Sequence, residues 1–203
     1  MKNRRHESDP GNGLPRRRSP EIVGTTGSAI GARWPFGRTT GGTTMASKIF
    51  AKIGNIKGES TDAKHKDEIE VLSWTWGVAQ SGTMSFGGGG GAGKANFQDL
   101  IFTHHIDKAT PLLLKACATG QHVPDATITV RKAGKGQQEY LIIKLTDVLV
   151  TGVSMSVAED APTVEIVSLQ FAKVDLEYKP QKANGSLDAG LHFKYDIKAN
   201  KVG

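Results

Sequence analysis

DKATPLLLKACATG, Asp107 to Gly120, decides the fold, because it is the one convincing helix in a chain that otherwise reads as strands. Thr110 stands where a side-chain cap is useful, Pro111 at the first helical position where no amide donor is needed, and Gly120 where the helix must close. Leu113 and Cys117, four residues apart, share a face suited to lie on a sheet. Outward from this segment, apolar and polar residues alternate with period two. The alternation predicts strands near 47–53, 68–78, 96–106, 126–133, 139–157, 163–179 and 191–198. In the sixth of these, Val167, Leu169 and Phe171 point one way, whereas past Ala172 the apolar phase moves to Val174, Leu176 and Tyr178. A change of buried face by one residue predicts a bulge or a sharp bend, as at the corner of a curling sheet. The expected architecture is mainly β: a β-barrel of antiparallel strands with one short packed α-helix on its flank.

The formal net charge of +6 over 203 residues invites a nucleic-acid reading until it is located. Residues 1–44 hold eight Lys/Arg against three Asp/Glu, which leaves 18 basic and 17 acidic residues in 45–203. The part expected to fold is therefore nearly neutral and carries no evident basic reading face. Residues 1–44 contain four of the eight prolines and little that could form a core. They are expected to be a disordered leader, and Met45-Ala46-Ser47 resembles a natural translation start, making 1–44 a misassigned or appended segment. The domain expected to fold is 45–203. The competing reading is a nucleic-acid-binding module that uses the Arg-rich arm. Cys117 excludes an intramolecular disulfide and, on its apolar face, reads as a small core residue. No apolar run reaches the roughly 20 residues of a membrane span, and no signal peptide is recognisable, so export would need a route other than the general secretory one.

Few residues offer chemistry. Gly88 to Lys94, GGGGAGK, satisfies a phosphate-loop pattern up to its lysine, but Ala95 follows where a hydroxyl should hold magnesium, and 96–102 reads as a strand. The glycine run Gly87 to Gly91 is better read as backbone that must move or approach another surface closely. Met84 and Phe86 before it would favour a partner. His104 and His105 are adjacent on a strand and point to opposite faces, so they cannot chelate one ion together. No catalytic, metal-ligating or cofactor-binding residues are assigned. Trp74 and Trp76 share one face of their strand and read as packing, leaving Ser73, Thr75 and Gly77 on the other.

KIGNIKGES (52–60), WTWG (74–77), the glycine loop, IDKATPLLLKACATG (106–120), RKAGKGQQEYLIIKLTDVLVTGVS (131–154) and VSLQFAKVDLEYKPQ (167–181) resemble, in this order, the haemolysin-coregulated protein (Hcp) family of bacterial type VI secretion. The resemblance covers about 45–201. Tyr195 departs from it, standing where a Trp is often found, and 1–44 has no counterpart. The resemblance implies a non-enzymatic β-barrel protomer that assembles into a homo-hexameric ring. Rings stack into a tube driven by a contractile sheath behind a spike, and small effectors ride in the lumen. It implies a protein that is cytoplasmic during assembly, then secreted or delivered into a target cell, without membrane insertion and without nucleic acid as a partner. The loop from Gln80 to Lys94, with Ser81, Met84, Phe86, Gly87, Gly91 and Lys94, is the element expected to reach an adjacent ring. Ser73 and Thr75 are expected to line the lumen and touch effectors. A hydrolase fused to a tube protein would need more chain than is present, and a pure effector chaperone is not separable from a tube subunit by sequence.

Overall fold

The computed structural model describes residues 47–80, 94–132 and 136–203. The expected leader, 1–44, and the loop residues Ser81, Met84, Phe86, Gly87 and Gly91 lie outside them. Among the described residues, ten strands and one helix follow in the order β1 (Lys48–Ile53), β2 (Ile69–Thr75), β3 (Val78–Ala79), β4 (Asn96–Phe97), β5 (Leu100–His105), α1 (Thr110–Thr119), β6 (His122–Arg131), β7 (Glu139–Ala158), β8 (Ala161–Tyr178), β9 (Leu191–Asp196) and β10 (Lys201–Val202).

The strand ladder runs β8-β5-β2-β1-β6-β7, and β7 pairs back onto β8, closing six antiparallel strands into a barrel as the alternation predicted. Closure removes free edges over this part of the sheet and turns the apolar face of each strand inward. Ile53, Ile69, Leu100, Phe102, Ile128, Ile143 and Leu169 are fully covered there. Helix α1 packs on the outside against β7, burying Leu113 and Ala116 while Leu112 and Leu114 stay exposed.

Two details of the helix differ from expectation. Thr110 is not its cap: Ala109 occupies that position without a capping side chain. The hydroxyl of Thr110 instead accepts the Asp107 N–H at 3.3 Å, and Asp107 Oδ1 accepts the Ala109 N–H at 2.8 Å, so the two side chains tie the entry turn together. Cys117 is half-buried against the core, not fully inside it. Gly120 does close the helix, at φ 62°, with the Gln121 N–H bonded to the Ala116 carbonyl at 3.0 Å.

The predicted change of face at Ala172 is a bend shared by two strands. β7 and β8 keep one register through it, Thr146 opposite Lys173 and Val148 opposite Phe171. Asp147 lies between them at φ 56°. Leu145 and Val148, like Phe171, Ala172 and Val174, all stay buried across the bend. Here β8 exchanges its other neighbour, from β5 through Leu169 to β9 from Lys173. Two predicted strands are each broken in two. Residues 68–78 end their barrel pairing at Thr75, and 96–106 begin theirs at Leu100, because Val78–Ala79 and Asn96–Phe97 pair with each other in a separate ribbon.

Candidate functional site

The ribbon of β3 and β4 is the root of the segment from Gln80 to Ala95, so the two ends of the glycine loop leave the barrel side by side. Gly77 opens it: its carbonyl accepts the Gln98 N–H at 3.0 Å, and a Cβ there would stand 3.0 Å from Gln98 Oε1. Aromatic rings fasten the root to the barrel. Trp76 lies 6.2 Å from Phe97 and 5.9 Å from Phe171, and Phe97 lies 4.7 Å from Tyr195 between ring centres. Tyr195 is fixed in turn by its hydroxyl, which donates to Asn200 Oδ1 at 2.7 Å. Lys94, the one described member of the expected loop residues, is exposed.

Trp74 and Trp76 pack against the core, and Ser73 and Thr75 are exposed on the opposite face, as expected. That phase depends on a register shift between Val71 and Ser73, which leaves Leu72 48% exposed. Without the shift the buried parity of Ile69 and Val71 would have turned both tryptophans outward. Strand pairing extends the face. Ser73 stands opposite Thr103, Thr103 opposite Ile166 and Ile166 opposite Ser154. The next row runs Thr75, Ile101, Ser168 and Gly152. Eight positions on four strands present small hydroxyls and short apolar groups and no ionisable side chain. Such a surface can exchange hydrogen bonds and light apolar contacts with a polypeptide without selecting for its charge.

At the border of this face the histidines separate: His105, two residues beyond Thr103, is exposed on it, and His104 is fully buried beneath it. His104 Nε2 bonds Glu165 Oε1 at 2.9 Å, with both side chains completely covered. Their remaining polar atoms, Nδ1 and Oε2, have no hydrogen-bond partner among the described residues. Alternation put the two histidines on opposite faces, but the partner of His104 is 61 residues away and no spacing rule connects the two. A second buried charge, Arg131, was equally invisible. It keeps the alternation of β6 in its pairing with β1, on the same face as Thr129 and Phe50, and is buried there under the connection from β1 to β2. There it lies 5.1 Å from the Phe50 ring and forms a forked pair with Asp62, whose Oδ1 accepts from Nη1 at 3.0 Å. The Arg131 hydrogen bond holds the Asp62 carboxyl well below the usual carboxylate range. His65, stacked 4.2 Å from Phe50, bonds Glu68 at 2.8 Å and closes the same cluster. These groups clasp the connection from β1 to β2 onto the barrel end. No group of three or more His, Cys, Asp or Glu arranged to hold a metal occurs among the described residues. No described helix is long and apolar enough to cross a membrane.

The chain matches the family model described as type VI secretion system effector, Hcp, over residues 50–178. It is 54% identical over 160 residues to protein hcp1 of Pseudomonas aeruginosa, covering 77% of this chain and 98% of that protein. Among solved structures it is similar to Hcp1 of Salmonella typhimurium, with 40% identity and a TM-score of 0.63 over 78% of this chain and 100% of that one. A second solved structure, of a type six secretion system protein, aligns with a TM-score of 0.74 at 30% identity, again over 78% of this chain and 100% of that one.

Proposed function

The chain belongs to the Hcp family and is a tube component of the type VI secretion machine, and from that premise we propose that it forms hexameric rings whose lumen holds effectors. The observation that carries the lumen assignment is the uncharged face built from Ser73, Thr75, Thr103, Ser154, Ile166 and Ser168. A lumen that holds varied cargo needs contact area with little electrostatic selection, and this stretch of barrel wall has that character. The segment from Gln80 to Lys94, including Ser81, Met84, Phe86, Gly87 and Gly91, reaches the adjacent ring. Its root is suited to that task, since a short ribbon clamped by Trp76 and Phe97 holds both ends of the loop side by side. Sheath and spike proteins are the further partners, and the assembled tube leaves the cytoplasm by the contractile route.

The test is the solution mass of the full-length chain, by light scattering after gel filtration. Six copies of the 21.7 kDa chain give about 130 kDa for a closed ring. In electron micrographs, deletion of Gly87–Gly91 is expected to leave rings and shorten their stacks. A chain that remains a protomer at high concentration overturns the ring, and undiminished stacks from the deletion remove the loop from its role.

A further inference from the structure

The two ends of the long β7–β8 hairpin differ in charge, and each keeps charged side chains that no ion pair within the described residues matches. β6 leaves β7 at Leu149 and β5 meets β8 only from Val164, so the turn at Glu159 and Asp160 projects on its own two strands. Both acidic residues are exposed and without an ion-pair partner among the described residues, and Val157 beside them is 75% exposed.

At the opposite end, β7, β8, β9 and β10 form a groove of about 480 Å³ lined by Lys144, Lys173, Lys194, Lys201 and Val202. Two of its lysines are neutralised locally. Lys173 meets Asp196 at 2.9 Å, and Lys194 meets Asp175 at 3.6 Å. Lys144 and Lys201 have no ion pair among the described residues, and Val202 is 64% exposed. The groove thus offers two uncompensated ammonium groups around an apolar side chain. The turn offers two uncompensated carboxylates beside another. About 14 residues of strand, roughly 45 Å, separate the turn from Lys144 and Lys173, so a molecule cannot fill its own groove.

We propose that the Glu159–Asp160 turn of one copy docks in the Lys144–Lys201 groove of a second copy of this chain. The contact rests on the assembly reading above and adds to it a specific pair of surfaces. Because turn and groove are different patches, the contact is head-to-tail and repeats from copy to copy, closing into a ring or continuing along a stack. Its charges lie at the surface, so it weakens as salt rises.

Cross-linking tests it in the full-length chain. An Asp160→Cys chain is mixed with a Lys201→Cys chain, both carrying Cys117→Ser, and oxidised mildly. A disulfide-linked dimer is expected, absent when Lys115→Cys on the helix replaces Lys201→Cys. Reversing either surface alone, by Glu159→Lys with Asp160→Lys or by Lys144→Glu with Lys201→Glu, is expected to weaken self-association about tenfold, and combining both reversals to restore it. If the unaltered chain has the mass of six copies but the cross-link does not exceed the helix control, the docking is overturned while the ring stands. If reversals weaken association and their combination fails to restore it, the pairing of these two surfaces is overturned. A full-length chain that is a protomer at every concentration overturns ring and docking together.

Discussion

The β7–β8 hairpin belongs to two different environments along its length. Where it closes the barrel, Val148, Val150, Val167 and Leu169 are at most 2% exposed. Beyond the bend, where β9 and β10 replace β5 as neighbours, Tyr178 is 44% and Leu191 65% exposed, and at the far turn Val157 reaches 75%. The inward face of the barrel wall therefore satisfies its apolar side chains within one chain, whereas the overhanging sheet leaves Tyr178 and Leu191 to solvent or to another surface. Stability of the protomer belongs to the first region, and contacts between protomers are available to the second.

The sharpest form of this contrast is a pair of truncations. Phe102→Ala opens a cavity at the centre of the barrel, where the ring is fully buried. It is expected to cost toward the top of the roughly 3–5 kcal/mol seen for such deletions. Leu191→Ala on the overhang is expected to change protomer stability by less than about 0.5 kcal/mol. Urea unfolding of the two variants beside the parent chain measures both. Comparable losses from the two would break the comparison and place the overhang inside the cooperative unit of the protomer.

A somewhat smaller effect sharpens it for polar groups. Glu165→Leu strands His104 inside the barrel, and because leucine refills most of the volume, the cost is set by the unpaired imidazole. A loss of about 3 kcal/mol is expected, the lower end for breaking a buried pair. His104→Leu combined with Glu165→Leu should recover much of it, since a dry apolar pair replaces a polar pair whose Nδ1 and Oε2 are already without partners. On the overhang, Lys194→Ala removes an exposed contact to Asp175 and should leave the urea midpoint almost unmoved. A double variant no more stable than Glu165→Leu alone would mean that the pair contributes more than filling space.

What the sequence disclosed follows the same division. Period-two alternation is set by local backbone geometry, so the strands, the helix and the barrel were legible from residues a few positions apart. The bend at Ala172 was visible because apolar parity changes within one strand. The Leu72 shift was not, since Leu72 is apolar and masks the change of parity until the pairing with Thr103 is known. The splitting of 96–106 at Gln98 was hidden for a similar reason: Asn96–Phe97 reads as strand and is strand, but its partner is β3 and not the barrel. Buried charges were the least legible. Arg131 and Glu165 look like surface residues by type, and what permits their burial, Asp62 and His104, lies 69 and 61 residues away.

The smallest expected effect concerns acid. Asp62 titrates well below its ordinary value of 3.8 because Arg131 bonds its ionised form, so the folded chain holds fewer protons there than the unfolded chain. The stability from this pair is therefore complete above that ordinary value and is lost as pH falls from it toward the lower folded value. Asp67, Asp147 and Asp196 are lowered too, by lysines, a histidine and backbone amides around them, but they stand at the surface. Salt near 1 M shortens the screening length to about 3 Å and suppresses those contributions first. Urea midpoints followed from about pH 5 to pH 2 in high salt should thus retain an acid slope that Asp62→Asn flattens. An unchanged slope in Asp62→Asn would move acid sensitivity from the clasp at the barrel end to the surface carboxylates, and with it the boundary between the region the protomer needs and the region it leaves free.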